Sequence, residues 1–143
     1  MALPVRREGY VPVPRQPTDD ITPEPVVLHT STDAGWVVSL LGAGGTVLTS
    51  WTLFGLSAHG MWAGYWCSLL GTIAVMAALG LRTALPRLPL LATLGFCGGL
   101  LIVLGIAKDW GTFPLVAMVA GGAAIVVGAG MQSSSAEIGR AHV

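Results

Sequence analysis

Few side chains in this sequence carry chemistry, and their spacing limits what they can do. The two cysteines, Cys67 and Cys97, form no Cys-x-x-Cys pair, the arrangement that disulfide exchange requires. The helix positions derived below separate them in depth by roughly 9 Å at 1.5 Å per residue. A disulfide needs Cα atoms closer than about 7 Å, so both are expected to be buried apolar thiols. Of the histidines, His29 precedes the apolar region and His59 sits in a turn between helices. They fall on opposite sides of the membrane in the topology below and cannot share a metal. Beside Trp62, His59 is expected to be a solvated loop residue. There is no Ser/His/Asp constellation and no phosphate loop. The expectation is a non-enzyme with no catalytic, cofactor-binding or metal-binding residues.

Hydroxyls are the remaining polar groups. Ser39, Thr46, Thr49, Ser50 and Thr52 gather on one stretch without an ionisable neighbour. Ionisable groups at membrane depth mark proton relays and ion paths. A four-helix small multidrug transporter would need a carboxylate in its first helix, and this stretch has none. The hydroxyls are expected to satisfy backbone carbonyls instead.

The elements that must position these residues follow from charge. Between Asp33 and Arg82 there is no Asp, Glu, Lys or Arg, and Leu88 to Ala107 and Trp110 to Ala136 are uncharged too. A bilayer core about 30 Å thick takes roughly 20 apolar residues per helix. The first run is long enough for two helices and the others for one each. Charged residues are 10% of the chain, against roughly 25% in soluble domains. Mean hydropathy is +0.74. Net charge is zero, which points to no nucleic-acid partner. With one lysine, no asparagine and abundant Ala, Gly, Val and Arg, the composition is that of a bacterial GC-rich genome.

The fold class expected is all-α: an integral membrane protein with four transmembrane helices and a disordered Pro-rich N-terminal tail. Residues 1–33 form the tail and 34–132 the four-helix domain. Helices are predicted at about Trp36 to Leu56, Met61 to Leu81, Leu90 to Ala107 and Phe113 to Met131. Thr32 or Asp33 is the expected first cap. Ser57 to Gly60 is the first turn, Arg82 to Pro89 the second, with Pro86 and Pro89 as breakers. Lys108 to Gly111 is the third turn, and Pro114 suits the first turn of the last helix.

Loop charge sets orientation. Arg6, Arg7, Arg15, Arg82 and Arg87 fall on one side, and Lys108 beside Asp109 on the other. The positive-inside rule then puts both termini in the cytoplasm of a plasma-membrane protein. Trp51, Trp62, Tyr65, Trp66 and Trp110 are expected as interface anchors at the outer ends, and Trp36 at the inner end.

Small residues are the strongest positive signal within the spans. Gly42, Gly44 and Gly45 lie in the first helix, Gly95-x-x-x-Gly99 in the third, and Ala120, Ala124 and Gly128 at four-residue spacing in the fourth. Residues four apart share a helix face, and small ones let backbones approach. Two readings stay open: packing among the chain's own helices, or contact with a partner membrane protein or second copy.

The run Leu94-Gly95-Phe96-Cys97-Gly98-Gly99 resembles part of the third helix of the small four-helix fluoride channels, which have a Gly-Phe-x-Gly-Gly stretch. Chain length and helix count are similar as well. The resemblance implies a small ion-conducting bundle. The family continues with Thr, Phe and Ser residues that line the ion path, whereas here Leu100, Leu101, Ile102, Val103 and Leu104 follow. The polar Asn and Arg of its first helix also have no counterpart.

The tail holds Pro4, Pro12, Pro14, Pro17, Pro23 and Pro25 among mixed charges. It cannot build a core, and a disordered leader with local polyproline II is expected. Tyr10 to Arg15 could present a groove-binding strip. At the other end, residues 137–143 read as the translation of a sequencing-library adapter, which would end native sequence near Ala136.

These features lead to a non-catalytic expectation: an accessory, scaffolding or assembly subunit of a membrane complex. The alternatives are a small oligomeric transporter or channel, or the membrane anchor of a longer protein. Partners are the lipid bilayer and a membrane protein or second copy.

Overall fold

The computed structural model describes residues 34–141. Expectations for the tail, including Arg6, Arg7, Arg15 and a cap at Thr32 or Asp33, lie outside the described residues. The described chain is all-helical: α1 Ala34–Thr52, α2 Ala58–Gly80, α3 Arg87–Ala107 and α4 Thr112–Ala141. Three helices, Ala58–Gly80, Arg87–Ala107 and the Thr112–Ile138 part of α4, are long and apolar enough to cross a membrane. They suggest a membrane protein. α1 is not among them, because five hydroxyl residues and two tryptophans temper its hydropathy.

Sequential helices pack as neighbours, and α4 closes the ring against α1. The diagonal pair α2 and α4 touches little. Contacts run antiparallel. Gly35 of α1 meets Gly128 and Gln132 of α4, while Gly42 meets Ala124. Gly98 of α3 meets Gly122, while Gly105 meets Met118. The result is an up-down four-helix bundle.

Each buried stripe follows the three- and four-residue spacing that turns one helix face inward. On α1 the buried residues are Gly35, Ser39, Ala43, Thr46 and Ser50. On α2 the stripe runs from Gly60 through Ala63, Cys67 and Leu70 to Ala74, Ala77 and Ala78. Leu94 and Leu101 of α3 and Met118 and Ile125 of α4 are fully buried between the helices. Small and hydroxyl residues face inward, while Leu41, Leu48, Phe96, Val103 and Ile106 are each more than half exposed. An apolar exterior around a small-residue interior suits lipid, where helix association depends on close packing.

Helix ends depart from expectation for local reasons. α1 stops at Thr52, short of Leu56, where the chain turns at Leu53 and bends at Phe54 and brings the Gly55 carbonyl directly under Gly60, where only hydrogen fits. Ser57 is the N-cap of α2, its Oγ accepting from the Gly60 N–H at 3.2 Å. Residues expected in the turn, Ala58 to Gly60, are therefore the first turn of α2. α3 begins at Arg87, so Pro89 lies in its first turn and breaks nothing, since backbone N–H groups there have no partner within the helix. α4 continues past Met131 to Ala141. Ser133 and Ser134 donate to the Gly130 carbonyl, and Ser135 to that of Met131. These bonds fit a continuing helix, and no proline interrupts it.

Candidate functional site

The hydroxyl row of α1 is the first place to look for chemistry. Thr46 Oγ1 donates to the Gly42 carbonyl at 2.7 Å and Thr49 Oγ1 to that of Thr46 at 3.0 Å. Ser50 Oγ donates to Val47 at 2.6 Å and Thr52 Oγ1 to Leu48 at 2.8 Å. Ser39 differs: its hydroxyl crosses to the Ile125 carbonyl of α4 at 3.2 Å. Every proton in the row is thus directed at backbone. Both cysteines are free and buried. Among the described residues, no group of three His, Cys, Asp or Glu could hold a metal. Arg82, Arg87, Lys108, Asp109 and Glu137 are all exposed.

The expected packing residues divide sharply. A Cβ on Gly42 would lie 2.7 Å from the Ala124 Cβ, and one on Gly128 2.5 Å from the Gly35 carbonyl. These two sit where α1 and α4 touch. Gly44, Gly45, Gly95 and Gly99 have open space where a side chain would be. The expected Gly95-x-x-x-Gly99 stripe is therefore not what brings α3 and α4 together. Gly98 is, with a Cβ there only 2.8 Å from both the Gly122 carbonyl and Val126 Cγ2. Ala120 and Ala124 line an apolar groove of about 430 Å³ between α1 and α4, with Gly45, Thr46 and Gly121.

The tryptophans and Tyr65 lie toward the bundle ends. Antiparallel packing brings the C-terminal end of α1, the start of α2, the end of α3 and the start of α4 to one end. Trp51, Trp62, Tyr65, Trp66 and Trp110 lie there. Trp62 stacks on Tyr65 with centroids 5.7 Å apart, and Trp66 meets both edge-on. Trp110 Nε1 donates to the Leu104 carbonyl at 2.8 Å, capping α3. At the opposite end the Arg82 guanidinium lies 4.8 Å over the Trp36 ring, a cation–π geometry. Arg87 opens α3 at that same end.

Gln132 is buried without having been expected as a site residue. It is 4% exposed, against the first turn of α1, and its Oε1 has no hydrogen-bond partner among the described residues. The available signal was that Gln132 is the only amide side chain in the three uncharged runs. A second concavity, of about 360 Å³, opens at the aromatic end between α1 and α2. Trp51, Phe54, Met61 and Tyr65 wall it, with Ser50, Gly64 and Ser68.

No family model, curated protein or solved structure matches this chain.

Proposed function

We propose that this protein is a four-span membrane protein with a non-catalytic role, an accessory, scaffolding or assembly subunit of a larger membrane complex. The observation that carries this reading is the set of glycines with room for a side chain: Gly44, Gly45, Gly95, Gly99 and Gly130. Glycine inside a helix costs about 0.5–1 kcal/mol relative to alanine. None of these five is required by packing within the bundle, but each would allow another helix to come close. The partner is a second membrane protein or a second copy, met within the bilayer.

α1 is the fourth span in this reading. At 19 residues it is uncharged, roughly 28 Å long at 1.5 Å per residue, and packed antiparallel between α2 and α4. The protein resides in the plasma membrane with both termini cytoplasmic. Arg82 and Arg87 share one end of the bundle, while the other end has Lys108 offset by Asp109.

Affinity purification in mild detergent tests the proposal. It expects one membrane protein, or a second copy, at fixed stoichiometry, lost in Gly95→Leu and Gly99→Leu variants. A monomer that supports solute flux in vesicles on its own would replace this reading with a small transporter or channel. Sequencing the genomic locus is the companion test. A frame that continues past Ala136 into a folded domain would make the helices an anchor.

A further inference from the structure

From the aromatic-walled bowl between α1 and α2 we infer a binding site for one lipid acyl chain, indifferent to the charge of its headgroup. The inference rests on the membrane reading above. Beside the bowl, glycines let the α1–α2 connection close against α2. Gly60 is pressed against the Gly55 carbonyl, and Gly64 faces the Phe54 ring and the Ser50 carbonyl. Its volume of about 360 Å³ holds on the order of a dozen groups the size of a water molecule. That is the scale of one chain segment and too small for a helix about 10 Å across.

Its chemistry is equally restrictive. Trp51, Phe54, Leu56, Met61 and Tyr65 make the walls apolar and aromatic, and the lining holds no charged side chain. The Ser50 hydroxyl already donates to the Val47 carbonyl. An ionic ligand would find no counter-charge here, and the remaining hydrogen-bonding groups are the uncharged Ser68, Tyr65 and Trp51. A chain end of hydrocarbon asks for neither. The position fits as well. Trp51 and Tyr65 lie at the end where the bundle gathers its amphipathic rings, the level at which chains leave their headgroups.

Native mass spectrometry of the detergent-extracted protein tests this, after exchange into dioleoyl phosphatidylethanolamine or dioleoyl phosphatidylglycerol. The expected result is one lipid retained under activation that strips the others, with either headgroup. Gly64→Leu and Ser68→Leu, one turn apart on the α2 wall of the bowl, lose it. Leu88→Ala, at an exposed position of α3 at the opposite end of the bundle, keeps it. Circular dichroism and monodisperse elution establish that each variant is folded. Retention unchanged in both bowl variants, retention of only one headgroup class, or a protein in place of the lipid would overturn the inference. A chain that does not fractionate with membranes would instead remove the membrane reading beneath it.

Discussion

Ser39 of α1 donates its hydroxyl proton to the Ile125 carbonyl of α4, 3.2 Å away and fully buried, binding the first helix to the last. Directly beside this bond, a Cβ on Gly128 would lie 2.6 Å from the Ser39 amide nitrogen and nearer still to its Oγ. Close approach at Gly128 is what lets the hydroxyl cross. Ser39→Ala is expected to lower stability by about 0.6 kcal/mol, the average for such bonds in membrane bundles. Gly128→Ala should cost about 1–3 kcal/mol by forcing the helices apart. Unfolding in mixed detergent, followed by circular dichroism, measures both. Equal losses would show that the bond, not the close approach, holds α1 to α4.

Adjacent glycines on α3 should respond with opposite signs. Gly98 is wedged against Gly122 and Val126, whereas a Cβ on Gly99 meets nothing within 4 Å. Gly98→Ala is expected to destabilise by about 1–3 kcal/mol. Gly99→Ala should stabilise by about 0.5–1 kcal/mol, through the lower entropy cost of ordering alanine. The same unfolding assay reads both. A loss at Gly99 in the purified monomer would place that residue in the bundle's own packing.

Among the described residues, the buried Gln132 Oε1 has no hydrogen-bond partner. Leaving such a group unsatisfied costs about 1–3 kcal/mol, and removing it with a residue of similar shape recovers part of that. Gln132→Met is therefore expected to raise the unfolding midpoint. A lowered midpoint would reveal a hydrogen bond that the amide makes in the folded protein.

Orientation is open to cysteine labelling, since Cys67 and Cys97 are buried and provide a silent background. His59 and Leu85 are exposed at opposite ends of the bundle. With positive loops inside, a membrane-impermeant maleimide on intact cells should label His59→Cys and spare Leu85→Cys until the cells are opened. The reverse pattern would invert the topology.

Helix number and order were legible in the sequence because both are local properties. Uncharged runs bounded by Arg82, Arg87, Lys108 and Asp109 mark where an apolar helix can begin and end. The backbone carbonyls accepting from Thr46 and Ser50 were foreseeable for the same reason, since the bonds close within one turn. Boundaries were less legible where a residue carries two signals. Ser57 suits a turn and an N-cap alike, and Pro89 breaks a helix interior but is tolerated in its first turn.

Tertiary structure alone decided which small residues matter. A four-residue spacing says that Gly95 and Gly99 share a face, but not which way that face points. The rotation of each helix is set jointly by two neighbours in a closed ring, so shape complementarity along several contacts selects Gly98 over Gly95 and Gly99. The same ring turned Gln132 inward and placed Arg82 over Trp36. Composition and periodicity determined that apolar helices would form, because each helix satisfies its own backbone. Their mutual rotation belongs to no single helix, and only the packed bundle could decide it.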